Sequence, residues 1–200
     1  APYDPPESYL TGIEDLEPIE WDLTDNVIHY EATSTWPDMT AEEQDLLLAH
    51  MDLRYRAEIR WLDDQIRTIW YEFESRGWLD DTLVVFWTDH GEQFWERGSQ
   101  THAYDLYSEE NNGIAFFWAN NLQSGPWPGP TTAIDIAPTV LDAVGLPAHP
   151  NMTGEVLGQA SNDRMRRALS VARIGPVMTV AQHDLKMRFK WDSGTLQVYD

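Results

Sequence analysis

The sequence predicts an α/β fold: a mostly parallel sheet flanked by helices, with a small antiparallel sheet at the C-terminal end. Three observations carry that expectation. A long apolar pattern of helical period fills residues 40–76, two short and wholly apolar runs follow at 83–87 and 114–119, and the last forty residues break into short strand-like runs. With 200 residues, 42% of them apolar and 24% charged, the chain can build a packed core. Its apolar runs fall far short of a bilayer span. The expected division is an α/β part over 1–160 and a small antiparallel strand region over 161–200.

The first forty residues are rich in Pro, Asp and Glu and read as an extended surface segment anchored by Tyr9, Leu10, Trp21 and Trp36. Thr40-Ala41-Glu42-Glu43 is a capping box, in which a hydroxyl and a carboxylate three residues apart each satisfy an orphan amide. Behind it Leu48, Met51, Tyr55, Ile59, Leu62, Ile66, Ile69 or Trp70, and Phe73 recur every three or four residues, and Gly77 ends the pattern. A single helix of this length would reach roughly 54 Å, so a break inside it is expected. The runs at 83–88 and 114–119 are apolar throughout, which suits strands buried on both faces of a parallel sheet, with Trp87, Phe116 and Trp118 in the core. A short helix fits near 104–110. Residues 134–144 have helical spacing, with Pro138 tolerable near the first turn and Gly145 closing it. Strands follow at 168–173, 177–181, 186–191 and 196–199, with Asp192-Ser193-Gly194-Thr195 as a hairpin turn.

The net charge of −21 is uneven: −15 over residues 1–75, −9 over 76–160 and +3 over 161–200. Such a field repels nucleic acid and anionic membrane surfaces, and an anion could bind only where a metal ion or local cations reverse it. No cysteine is present, which excludes disulfides, thiolate metal sites and a Cys nucleophile within these residues.

One position combines chemistry with a favourable place in the fold. Asp89 and His90 follow directly on an apolar strand, and Gly91 lets the backbone turn. Ligands of open α/β sheets bind at the carboxyl ends of strands. A carboxylate and an imidazole there can ligate one metal ion, although Asp-His-Gly is also an ordinary turn. His102, twelve residues on, could be a further ligand, a cation facing an anionic group, a general acid for a leaving alkoxide, or a surface histidine. His29, His50, His149 and His183 lack a comparable setting, and Glu92, Glu96 and Arg97 read as solvated loop charges. Trp36, Trp95 and Trp127 lie in loops, where they could line a pocket. Asn151-Met152-Thr153 is formally a glycosylation acceptor.

The order of these segments resembles the sulfatase family of the alkaline phosphatase superfamily. The similarity lies in the opening Ala1-Pro2-Tyr3-Asp4-Pro5-Pro6-Glu7-Ser8-Tyr9, the long helix around Tyr55-Arg56-Ala57-Glu58-Ile59, and the strand ending Trp87-Thr88-Asp89-His90-Gly91-Glu92. It continues through Leu106-Tyr107-Ser108-Glu109-Glu110 and Asp135-Ile136-Ala137-Pro138-Thr139-Val140-Leu141-Asp142, and on to the last strands. The resemblance implies an alkaline phosphatase-like fold and hydrolysis of sulfate esters. It implies Asp89 and His90 as ligands of a divalent cation, calcium in most sulfatases with manganese or zinc as alternatives. It implies His102 at a basic position that contacts the sulfate or the leaving oxygen, and a periplasmic or secreted enzyme acting on a sulfated small molecule or glycan.

The family's nucleophile, a formylglycine made within a Cys/Ser-x-Pro-x-Arg motif, has no counterpart here, and Ser124-Gly125-Pro126-Trp127 lacks the Arg. The family's Asp pair on the first strand is missing too, since Asp80-Asp81 precedes a strand and Asp63-Asp64 lies mid-helix. The expectation is therefore the C-terminal part of a longer enzyme, inactive alone, whose N-terminal half supplies the formylglycine. The rival readings are a phosphodiesterase, phosphonate hydrolase or phosphotransferase of the same superfamily, and a non-catalytic sulfatase-like binding protein.

Overall fold

In the computed structural model, which describes residues 3–24, 34–103, 105–122, 124–127, 131–159, 165–170, 175–182 and 185–199, the capping box forms as expected. The Thr40 hydroxyl accepts the Glu43 amide at 3.3 Å, and the Glu43 carboxylate accepts the Thr40 amide at 2.8 Å. Helix α1, Ala41–Ser75, then runs for 35 residues without the expected break. It contains no Gly or Pro, and exposed pairs one turn apart line its outer face: Arg56 with Asp52 at 2.9 Å, and Arg67 with both Asp63 and Asp64 at 2.6 Å. Each such pair adds only about 0.3–0.5 kcal/mol, yet together they favour a continuous helix in a segment that offers no breaker.

The two bonds from Thr40 hold the Glu43 carboxyl below the usual glutamate value. A carboxylate depressed by folding contributes stability above its unfolded pKa, and that contribution disappears as pH falls through the folded value. The Thr40 amide resonance should therefore titrate with a midpoint below the ordinary glutamate range. Recording the Glu43 side chain in Thr40→Ala should show its midpoint moved upward; an unmoved midpoint would contradict the box.

The chain divides into two compact units, Ala1–Leu79 with Gln93–Thr101, and Asp80–Glu92 with His102–Asp200. In the first, the N-terminal segment lies along α1. The Tyr3 amide donates to the Leu23 carbonyl at 3.2 Å, the Tyr9 hydroxyl to Asp64 at 2.8 Å, and Arg60 to the Tyr9 carbonyl at 2.9 Å. Tyr3, Leu23, Leu47, Met51 and Trp95 form the buried cluster, with Trp36, Tyr55 and Phe94 packed against it. Trp36 and Trp95 stack with ring centroids 4.0 Å apart, so these two belong to the core and do not line a pocket.

The second unit carries strand β1, Val84–Trp87. The chain then crosses to the first unit for a two-residue ribbon, β2 (Gln93–Phe94) with β3 (Gln100–Thr101), and returns through the short helix α2, Ser108–Asn111. Strand β4, Ala115–Trp118, pairs with β1 antiparallel, Val84 opposite Trp118 and Trp87 opposite Ala115. Every strand pair among the described residues is antiparallel, so the parallel neighbours expected for β1 and β4 are not found among them. An apolar run reports what its faces touch but not the direction of its partner. Nor are both faces buried: Trp87 is 52% and Phe116 53% exposed.

Helix α3, Ile136–Ala143, follows a 3-10 turn at Ala133–Asp135, which leaves Pro138 in the first helical turn as its missing N–H requires. Gly145, at φ 72°, closes it, its amide donating to Asp142 at 3.0 Å. The tail is a meander of β5 (Arg166–Ser170), β6 (Val177–Gln182), β7 (Leu185–Lys190) and β8 (Thr195–Tyr199), antiparallel in sequence order. The expected turn joins β7 to β8, with Gly194 at φ 65°. Residues 171–173 of the first expected tail strand lie outside the described residues, as do Tyr104, His29 and His183.

Candidate active site

The end of β1 is fixed before its side chains are. The Thr88 amide donates to the Ile114 carbonyl, and the Ile114 amide to the Thr88 hydroxyl, both at 2.9 Å. Three residues on, the Gly91 amide donates to the Glu110 carbonyl at 2.6 Å. A Cβ on Gly91 would lie 2.1 Å from the Glu109 carbonyl oxygen. Glycine is therefore required here by the close approach of two backbones, rather than by the turn that the sequence suggested.

Asp89 and His90 are presented on this anchored end. The Asp89 Oδ1 accepts the His90 amide at 3.0 Å, and its side chain is 83% exposed. The His90 Nδ1 lies 2.8 Å from the Gly91 carbonyl oxygen, which can only accept, so Nδ1 carries a proton. The other ring nitrogen, Nε2, faces Asp89 Oδ2 at 3.6 Å. Two donor atoms so spaced can both reach one cation at bond lengths of about 2.0–2.4 Å. A ring held through N–H to a backbone carbonyl is the usual setting of a metal-bound histidine. The donor chemistry of the pair therefore fits a divalent ion, but no group of three or more His, Asp or Glu among the described residues is arranged to hold one.

His102 joins this pair through the β2–β3 register. Gln93 pairs with Thr101, so the flanking residues Glu92 and His102 emerge side by side at the base of the ribbon. The His102 Nδ1 lies 3.4 Å from the Glu92 carboxylate, and its ring centroid lies 4.0 Å from that of His90. Ala103 follows with φ 68°, a left-handed conformation unusual for a residue with a Cβ. Asp89, His90 and His102 thus share one strand end. Glu92, read from sequence as a solvated charge, belongs with them; the register of the ribbon that places it there is not written in any local pattern of the sequence.

The other sequence candidates among the described residues have neighbours away from this cluster. The His50 Nε2 pairs with the Glu17 carbonyl at 2.8 Å, and the His149 Nδ1 accepts the Asn151 amide at 3.2 Å within an exposed turn. Trp127 is half exposed and lies over Gly158, while Asp63 and Asp64 are occupied by Arg67.

The Sulfatase family model matches residues 24–146. No curated protein matches the chain. Among solved structures it is similar to the phosphonate monoester hydrolase SpPMH from Silicibacter pomeroyi, with 21% identity and a TM-score of 0.69 over 82% of this chain and 37% of that one. It is similar to BT4656, solved with its substrate D-glucosamine-2-N,6-O-disulfate, with 18% identity and a TM-score of 0.66 over 96% and 47%. BT1596, a 2-O GAG sulfatase, shares 16% identity with a TM-score of 0.70 over 98% and 50%. At such identities the likeness establishes the fold, and the chain spans between 37% and 50% of these proteins. Because the family match covers more than half of the chain and contains the Asp89-His90 strand end, the chain belongs to the sulfatase family.

Proposed function

We propose that the chain is part of a metal-dependent sulfatase that hydrolyses sulfate esters, to which it contributes two metal ligands and a leaving-group acid. The observation that carries this reading is the convergence of Asp89, His90, Glu92 and His102 at one strand end in a sulfatase-family chain. Asp89 and His90 would hold the divalent cation, calcium by family likeness. Once bound, it would offset the negative charge that these acid-rich residues otherwise present to an anionic ester. His90 is held in a fixed tautomer by Gly91, and Glu92 orients His102 through Nδ1. The proton for the leaving oxygen then comes from Nε2 of His102. The nucleophile, a formylglycine by family likeness, and the remaining ligands would come from residues outside these 200. The isolated chain is accordingly expected to be inactive.

A sulfated sugar or other small sulfate ester is the expected substrate class, in keeping with the disulfated glucosamine bound to BT4656. The family likeness also points to a periplasmic or secreted location. The likeness to SpPMH favours a second reading, a phosphonate monoester hydrolase on the same scaffold. Assaying the full-length protein on 4-nitrophenyl sulfate and on a phenyl phosphonate monoester separates the two. Faster turnover of the phosphonate would overturn the sulfatase reading, and failure on both would leave a binding protein. In the same assay His102→Ala should lower turnover by about 10²–10⁴-fold for aryl sulfates with poor leaving groups and much less for good ones. An equal loss across the series would remove the acid role.

A further inference from the structure

The C-terminal sheet has no place in the chemistry above, yet one of its side chains is linked to the strand end through a series of intervening residues. Arg188, on β7, is 4% exposed. Its guanidinium grips both carboxylate oxygens of Asp105, donates to the Gln197 Oε1 at 3.0 Å, and lies 4.4 Å from the Tyr107 ring centroid. The Asp105 amide donates to both carboxylate oxygens of Glu110 at 3.0 Å, and Glu110 is 3% exposed. The Glu110 carbonyl accepts the Gly91 amide, and the Gly91 carbonyl accepts the His90 Nδ1 proton. A path of hydrogen bonds, joined through the covalent frames of Asp105, Glu110 and Gly91, thus leads from the tail sheet to the imidazole.

We propose that Arg188 is a positioning residue for His90, acting through Asp105, Glu110 and Gly91. In this largely buried cluster the Arg188 guanidinium holds the Asp105 carboxylate in bidentate geometry, and the Asp105 amide so placed donates to the buried Glu110 carboxylate. Without that charge the segment 105–110 must expose or separate its acids. It cannot move independently of the strand end, because Gly91 fits against the Glu109 carbonyl with no room for a Cβ. A displaced Glu110 carbonyl releases the Gly91 amide, and with it the carbonyl that fixes which His90 nitrogen bears the proton. The path is a property of the fold; its consequence for a metal rests on the proposed function.

The test reads two quantities in the full-length protein: the ring nitrogen resonances of His90, which report its tautomer, and the affinity for Mn²⁺ added as a probe. Arg188→Met should erase the Nδ1–H pattern and weaken Mn²⁺ binding about 10–100-fold, the usual cost of losing an outer-shell support. Arg188→Lys should retain part of both. Val177→Ala, a cavity at a fully buried position of the same sheet, should lower the melting temperature and change neither. If Arg188→Met does not fold, the neutral pair Arg188→Met with Asp105→Asn is read in its place. An unchanged His90 pattern without Arg188 overturns the proposal, as does an equal change in Val177→Ala, which would make the effect general destabilisation. Wild-type protein that ignores Mn²⁺, or binding untouched by Asp89→Ala, would refute the metal reading while the His90 resonances still decide the path.

Discussion

Asp89→Ala in the full-length protein is expected to abolish divalent-cation binding and to lower sulfate-ester turnover by about three orders of magnitude or more. Losing a bound cation removes several kcal/mol of transition-state charge stabilisation, and each 1.4 kcal/mol is a factor of ten. The fold should hardly register the change. The carboxylate is largely exposed, and its partner among the described residues is the adjacent His90, a setting in which substitutions typically stay within about 0.5 kcal/mol. Metal content by elemental analysis, turnover and the melting curve are read on one preparation. Wild-type metal content in the variant would remove Asp89 from the ligand set. A collapsed melting curve would show that its role is structural. His90→Ala should lose metal as well, since both donor atoms face the same space.

Where local chemistry dictates the outcome, the sequence is enough. The capping box at Thr40, the terminating Gly77 and Gly145, Pro138 in the first turn of α3 and the four tail strands each follow from backbone preferences within a few residues. The chain could not announce that α1 runs unbroken, because helix length depends on what the helix packs against as well as on its own pattern. Nor could apolar runs reveal strand direction: β1 and β4 share a composition that suits either, and their antiparallel pairing comes from a chain reversal through residues 88–114. At the site, Asp89 and His90 were legible from their place after an apolar strand. Glu92 was not, because its meaning depends on a two-residue ribbon whose register no local pattern specifies. The buried Arg188–Asp105 pair lay furthest from view, joining residues 83 apart in the chain.

Asp135 should behave in the opposite way to Asp89. It is fully buried at the start of α3, and its carboxylate ties its own capping turn to the segment at Glu155. Oδ2 accepts the Thr132 amide at 2.9 Å and the Thr132 hydroxyl at 3.1 Å, while Oδ1 accepts the Glu155 amide at 2.9 Å. The Asp135 carbonyl in turn accepts the Thr139 hydroxyl at 2.6 Å, and that oxygen receives the Leu157 amide at 3.0 Å. Asp135→Ala strands two backbone amides. With hydrogen bonds to a charged group worth about 1.5–3 kcal/mol each, the expected loss is about 3–5 kcal/mol. Asp135→Asn should recover only part of it, because its NH₂ must face either the Thr132 or the Glu155 amide, donor against donor. Chemical denaturation of the two variants measures both losses, and a midpoint close to wild type for Asp135→Ala would contradict the arrangement. Activity per folded molecule should survive in both, since the bonds that Asp135 makes to Thr132, Thr139 and Glu155 support the start of α3 and none of these residues belongs to the Asp89–His90 strand end. An acid that supports the fold and an acid proposed to bind metal are thus told apart by burial and by which atoms complete their hydrogen bonds.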